Sequence, residues 1–337
     1  NKNYYTPLND YEIVWSLWIN GKCVQQNQPV QGPRMALQPR QKAVYTLPYN
    51  FASLNPKDEV FVKVQFLLGH DMPWAKQGYP QFEEQLLVAS PSVAAPAISQ
   101  VAENAGKLEV SADADKAFQT IKGEGFEVQF DMKQGTINKL VYGGESVIVP
   151  GYGPRLNAFR AFVSNDNWCY QPWFANGLHN LKHHAENAQV IKEKNGNVKI
   201  TCTVVSQAPN AARLQSKNGR YDSGIHTLEE NTDRPFGADD FKFTTNQIWT
   251  IYPDGSIELQ AAITSNNPGI VLARLGYEMG VPAQYDRFAY YGRGPVDNYN
   301  DRKTGQFIEQ FSSTVAEQFT NWPKPMQMGN HEETRWA

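Results

Sequence analysis

Ile13–Val24, IVWSLWINGKCV, is the stretch on which the fold class turns. Ile13, Trp15, Leu17 and Ile19 alternate with less apolar neighbours, the period of a strand with one buried face. Asn20-Gly21 follows, the pair preferred where both residues of a two-residue hairpin turn need positive φ, and Lys22-Cys23-Val24 opens the return strand. Val60, Val62, Val64 and Phe66 repeat the alternation, and Gln85–Val88 reads as a closing strand. No amphipathic helix interrupts them. Residues 1–90 are therefore expected to form a small antiparallel β-sandwich.

Outward from there the composition changes. Ser90–Lys107, SPSVAAPAISQVAENAGK, has small residues, two prolines and little periodicity, which places a linker at 91–107. Strand patterns then resume. Phe126, Val128 and Phe130 alternate; Gly135, Ile137 and Leu140 lead to a Gly143-Gly144 turn and Val147–Val149. Lys194-Asn195-Gly196-Asn197 reads as a hairpin tip feeding Val198–Val205. Ile248–Ile251, the Pro253-Asp254-Gly255-Ser256 turn and Ile257–Ile263 complete the series. Many strands with Gly/Asn turns predict a large antiparallel sandwich over 108–337, so the whole chain reads as all-β.

The bulk numbers exclude several function classes. At 337 residues there is room for two cores, and a net charge of −3 gives no grip on nucleic acid or an anionic membrane. No apolar run reaches the length of a membrane span, and no signal peptide opens the chain. The opening NKNYYTPLNDYEIVW lacks Met and starts inside a polar-aromatic pattern, as expected of the interior of a longer protein. The compartment stays open. Cys23, Cys169 and Cys202 have no metal-ligand spacing and are expected to be buried free thiols.

Tyr290–Arg302, YYGRGPVDNYNDR, carries the functional signal. Gly292 and Gly294 read as turn glycines and Pro295 as fixing the exit angle. Asp297, Asn298, Tyr299, Asp301 and Arg302 crowd donors and acceptors into one loop. The stretch resembles the G-x-G-P-x-E-N-Y-x-D-R pattern of the large bacterial β-galactosidases of glycoside hydrolase family 2, with Asp297 where Glu is usual. Other segments resemble the same family in the same order. Asn1–Lys22 is similar to the start of its small sandwich after the catalytic barrel, and Phe126–Val149 to the opening of its last domain. Leu156–Asn167, LNAFRAFVSNDN, resembles an R-A-P-x-D-N-D loop, with Phe162 for Pro and Ser164 for the first Asp. Tyr252–Ile257 resembles a D-G-x-I turn, and Arg274-Leu275-Gly276 a P-R-x-G strand with Ala273 for Pro. Pro325–Arg335 resembles P-x-E-N-G-x-R-x-x-x-R, with Gln327 and Met328 where Glu and Asn are commoner.

The resemblance implies an immunoglobulin-like sandwich, then a galactose-mutarotase-like supersandwich truncated at its C-terminus. It implies a parent enzyme that hydrolyses terminal β-D-galactosides with retention. Such chemistry needs two carboxyl groups about 5 Å apart. In the family they lie in a (β/α)₈ barrel, where the acid/base Glu follows an Asn; this chain has no Asn-Glu dipeptide and no strand-helix alternation. Catalytic residues are therefore expected elsewhere, and the barrel is the implied partner. The loop with Arg160, Ser164, Asn165 and Asp166 is implied to form part of the active-site rim and to touch substrate indirectly. Trp168 and Trp173 offer stacking faces beside it, with core packing as the alternative. The motif residues Gly292, Gly294, Pro295, Asp297, Asn298, Tyr299, Asp301 and Arg302 are expected to be structural.

No cofactor or metal is expected in this chain; divalent and monovalent cations of the parent would bind in the barrel. The family's stacking Trp in G-x-x-S-W has no counterpart, Trp336 being the penultimate residue. A truncated sandwich would expose sheet edges and favour self-association. Alone, the chain is expected neither to hydrolyse nor to bind galactosides tightly. His179 and His183 suit a metal only if helical and read instead as a solvated loop. Three rivals remain: a free-standing carbohydrate-binding module, a mutarotase-like isomerase using His226 with Glu229 or Glu230, and an adhesive β protein.

Overall fold

A computed structural model of the chain describes residues 1–30, 37–48, 54–90, 106–216, 226–321 and 327–337. The strands run β1 (Tyr11–Ile19), β2 (Lys22–Pro29), β3 (Val60–Leu68), β4 (Pro80–Ala89), β5 (Glu109–Ala112), β6 (Phe118–Gly123), β7 (Phe126–Asp131), β8 (Thr136–Tyr142) and β9 (Glu145–Ser146). They continue as β10 (Arg155–Asn157), β11 (Lys182–Lys192), β12 (Val198–Gln207), β13 (Asn210–Ser216), β14 (His226–Pro235) and β15 (Phe243–Ile251). The last are β16 (Ile257–Ser265), β17 (Gly276–Glu278), β18 (Arg287–Gly294) and β19 (Phe307–Thr314), and one short helix, α1, covers Tyr170–Ala175. The all-β expectation holds. Among the described residues no helix is long and apolar enough to cross a membrane.

The chain forms two compact units. One holds Asn1–Ile98, Asp286–Thr320 and Met328–Ala337; the other holds Ser99–Tyr285 and Asn321–Gln327. The linker expected at 91–107 lies almost wholly outside the described residues. The segment expected as one large domain, 108–337, is divided between the units, with β18 and β19 in the same unit as β1–β4.

The register of the first sheet shows why it can take that hairpin. Its antiparallel order is β2-β1-β3-β4. Asn20 and Gly21 at the first tip take φ of 49° and 77°, as the turn requires. One face buries Trp15, Leu17, Val60 and Val62. On the other face Trp18 stands beside Phe61 and Phe61 beside Leu87, while Ser16, Lys63 and Gln85 form the next row. Phe61 there joins Tyr291 and Ile308 in a buried cluster, with Trp18 packed against it. The Gln85 amide donates to the Ile308 carbonyl at 3.1 Å and accepts the Ile308 N–H at 2.8 Å, so a side chain does the job of a neighbouring strand.

In the second unit β5–β9 form a sheet in sequence order, and β11-β12-β15-β16 form another. Ile121, Val128, Phe130 and Ile137 from the first share one core with Val198, Ile200, Val204, Trp249 and Ile251 from the second. Phe130 meets Trp249 edge-on, ring centroids 5.7 Å apart. A separate core gathers Leu156, Ala158, Cys169, Trp173, Leu178, Phe241 and Phe243 beside the β10–β17 pair.

Three expectations need correction. His183 and His184 lie in strand β11 rather than a solvated loop, and His179 sits in a 3₁₀ turn against Phe159 and Phe174. Asn187, at φ 54°, coincides with a register shift between Glu186 and Gln189 that breaks the alternation there. Cys23 is exposed, being on the sheet-edge strand β2, while Cys169 and Cys202 are buried. Val147–Val149 is not strand: β9 ends at Ser146, whose hydroxyl donates to the Ile148 carbonyl, and the Val149 N–H goes to Gly280.

Candidate functional site

The loop after β10 is built around one ion pair. β10 aligns with β17, pairing Leu156 with Tyr277. Arg274 then clamps the loop's base, its Nε donating to Asn157 Oδ1 at 3.2 Å and to the Phe159 carbonyl at 3.0 Å. Two segments singled out in the sequence, Leu156–Asn167 and Arg274–Gly276, thus meet. Arg160 grips Asp166 with both prongs of its guanidinium, at 2.6 and 3.1 Å. Asp166 Oδ2 also accepts the Val163 N–H at 2.6 Å, and the Asp166 carbonyl accepts the Cys169 N–H at 2.8 Å. Both residues are largely buried, which makes this fork more than a surface ion pair.

The aromatic side chains divide cleanly. Trp173 is 1% exposed, donates its indole N–H to the Val271 carbonyl at 2.7 Å and lies under the Arg160 guanidinium. It packs as core. Phe162, standing where the family pattern has Pro, stacks on Tyr170 at 4.8 Å. Trp168 alone of this group opens to solvent, 74% exposed, and Asn165 is exposed on the same 3₁₀ turn, Ser164–Trp168. The side chain of Ser164 lies outside the described residues. Burial pushes the Cys169 thiol up, and the Asp166 charge adds to it, so the thiol is not poised for nucleophilic work. The stretch from Ala158 to Ala175 holds a single carboxylate, Asp166, already committed to Arg160. That arrangement can hold a shape; it cannot supply a general acid and a nucleophile.

The motif from Tyr290 to Arg302 belongs to the first unit and ties strands together. Gly292 and Gly294 lie in β18 and neither takes a positive φ. Their requirement is close approach: a Cβ on Gly292 would stand 2.8 Å from the Thr334 hydroxyl, and one on Gly294 would run into Tyr290 and Phe311. The expectation of turn glycines is therefore corrected. Gly294-Pro295 is a cis peptide. Asn298, fully buried, donates to the Arg293 and Val296 carbonyls at 2.8 and 3.1 Å and accepts the Glu332 N–H at 2.8 Å. Asp297, 3% exposed, pairs with Arg302 at 3.2 Å, while Asp301 is exposed. Arg302 lies over the Tyr299 ring.

The chain's last residues complete this construction. Tyr291 N donates to Trp336 O and Arg335 N to Tyr291 O, so the tail meets β18 in an isolated β-bridge. Arg335 also reaches Glu59, and the Tyr291 hydroxyl donates to the same carboxylate. Burial pushes the Glu59 carboxyl up, but the hydrogen bonds from Arg335 and Tyr291 outweigh it and hold the group below its ordinary range. Nothing in the sequence pattern joined residues 59, 291 and 335. Among the described residues no cluster of three or more His, Cys, Asp or Glu could hold a metal ion. The side chain of His226, the isomerase candidate, lies outside the described residues, and Glu229 is paired with Arg213 at 2.7 Å.

Comparison with known proteins places the chain in a family. Residues 122–337 match the family described as "Beta galactosidase small chain", and residues 1–89 match "Beta-galactosidase, domain 4". The chain is 25% identical over its whole length to a β-galactosidase of Priestia megaterium, of which it covers 28%. It is 24% identical to one of Halalkalibacterium halodurans, with 99% of the chain and 29% of the relative aligned. A β-galactosidase of Lactobacillus delbrueckii subsp. bulgaricus is 23% identical over the full chain, which spans 29% of that protein. Less than a third of each relative is represented. With its larger part matched from Lys122 to Ala337, the chain belongs to the β-galactosidase small-chain family.

Proposed function

We propose that this chain is a non-catalytic part of a longer β-galactosidase of the glycoside hydrolase family 2 kind, which cleaves terminal β-D-galactosyl bonds with retention. The observation that carries the reading is the end-to-end likeness to β-galactosidases over only 28% of the length of the Priestia protein. The rest of the enzyme supplies the two carboxyl groups. This chain supplies a rim: Arg160 and Asp166 fix the loop, and exposed Asn165 and Trp168 offer an amide and a flat apolar face to the second sugar or aglycone. Fixing the loop before substrate arrives lowers the ordering cost of binding. Its barrel-containing remainder is the principal partner. In isolation the chain self-associates through sheet edges such as β16, which among the described residues pairs only with β15.

The test is made in the assembled enzyme. Asp166→Asn and Arg160→Gln are expected to raise KM for β-galactosides several-fold with a smaller change in kcat, since they loosen a rim and leave the chemistry in place. Trp168→Ala is expected to lower kcat/KM most for substrates whose aglycone is a ring. Unchanged kinetics in all three would remove the rim from the account.

A further inference from the structure

Three aromatic rings close the base of the loop that carries Arg160 and Asp166. Phe159 stands just after β10, where the loop begins, and Phe174 lies in α1, to which the loop's other end leads. Their ring centroids are 5.5 Å apart. His179, from the 3₁₀ turn Leu178–Asn180 that follows α1, completes the cluster at 6.0 Å from Phe159 and 5.0 Å from Phe174. Its turn is fixed by Gly177 ahead of it, at φ 70° and too close to Ala208 to carry a Cβ.

A neutral imidazole has one donor and one acceptor to satisfy, and a charged one has two donors. Both ring nitrogens of His179 are buried, and neither has a hydrogen-bond partner among the described residues. The ring therefore packs as a third apolar face, and a proton on it would create a charge with nothing to accept from it. The neighbouring charges do not change this. α1 carries no charged side chain, its one titratable group being the Tyr170 phenol, and Lys182 beyond the turn is exposed. On the loop Arg160 and Asp166 neutralise each other, and Arg213 of β13 is paired with Glu229 of β14. The Glu230 carboxylate of β14 favours protonation, but burial outweighs it and pulls the imidazole below its ordinary 6.5.

We propose that His179 is an acid-sensitive latch: a proton taken up by its ring parts the three-ring cluster and releases the loop from its base. Uptake requires the ring to reach water, so it is coupled to local opening. The opening equilibrium then rises as pH falls below 6.5, by up to about tenfold per pH unit, until the closed form binds the proton as well. That release withdraws a substrate rim in acid rests on the function proposed above; the latch itself does not.

The experiment is hydrogen–deuterium exchange of the full 337-residue chain from about pH 7.5 to about pH 5, read by mass spectrometry and corrected for the pH dependence of free amides. The loop, residues 159–169, contains the Val163 and Cys169 N–H groups, both bonded to Asp166 in the closed state. Strand β12 is the reference. Loop protection is expected to fall by about fivefold or more relative to β12 across this range. His179→Leu and His179→Gln, neither of which titrates, should each make the loop profile flat. His183→Gln, which silences the other acid-sensitive imidazole of the unit, should preserve the fall. A wild-type loop profile that does not change with pH overturns the latch. So does a loss shared equally by β12 in His183→Gln, which is global unfolding, or one that persists in the His179 variants, which assigns the proton to another group. The readout is the loop and not catalysis, so a failed latch is distinguishable from a failed rim, which KM in the assembled enzyme decides.

Discussion

Asn298 accepts the Glu332 N–H on its side-chain oxygen at 2.8 Å while having no exposed surface of its own. The bond joins the YYGRGPVDNYNDR motif to the chain's final segment, and the same amide group donates to two carbonyls within the motif. Asn298→Ala leaves all three partners without it in a partly buried place. The expected loss is about 2–4 kcal/mol in urea unfolding. Asn298→Asp keeps the acceptor, loses both donors and buries a charge, so it should be no milder. A loss under about 0.5 kcal/mol for either would mean that the motif does not hold the tail.

Glu59 gives the first unit an acid limit. Its folded-state value lies below the ordinary 4.5, so the stabilisation it brings is present above that pH and is lost as pH falls through the depressed value. Denaturant midpoints of the wild type should therefore drop steeply below about pH 4.5. Glu59→Gln should flatten that slope. Arg335→Met, which leaves the carboxylate buried with only Tyr291 beside it, should destabilise at neutral pH.

His183 gives the second unit a different window. Burial, with the Arg155 charge next, pulls its imidazole down from 6.5 to about 4, and its Nδ1 lies 2.8 Å from the Ser206 hydroxyl. Between those two pH values the unfolded chain takes up a proton that the folded chain refuses. Stability should thus fall as pH drops from 6.5 towards 4, by about 1–3 kcal/mol, and level off below. His183→Gln should remove this slope while leaving that of Glu59.

Two tryptophans five residues apart should behave oppositely. Trp173→Ala removes a fully buried ring and a hydrogen bond, at an expected cost of about 3–5 kcal/mol. Trp168→Ala removes an exposed one and should stay within about 0.5 kcal/mol of the wild type. Thermal and urea unfolding check both. A large loss at Trp168 would make it structural and close the stacking role.

What the sequence disclosed follows the physics of each element. Trp15 and Leu17 were legible because the large apolar residues of β1 alternate in the sequence, although Val14 and Ser16 beside them are buried too, and Asn20-Gly21 because few other pairs take that turn. β11 was hidden: KHHAENAQVIK is mostly polar and carries a bulge. The second face of the first sheet was hidden too, since Lys63 and Gln85 look like solvent-facing residues until Ile308 and Glu309 are brought to them from far along the chain. Gly292 and Gly294 announced that a backbone needed room. Only the fold revealed that Thr334, Tyr290 and Phe311 were what needed it. The Arg160–Asp166 loop was visible as a motif, while its clamp on Arg274 depends on the β10–β17 pairing that no local pattern encodes.

The central claim, that this chain belongs to a β-galactosidase without holding its catalytic groups, is tested most directly by hydrolysis of a chromogenic β-galactoside by the purified chain at high concentration. The account predicts no turnover. Turnover that co-purifies with the chain and disappears when one of its own carboxylates is replaced would contradict it, and would place the active site within these β units.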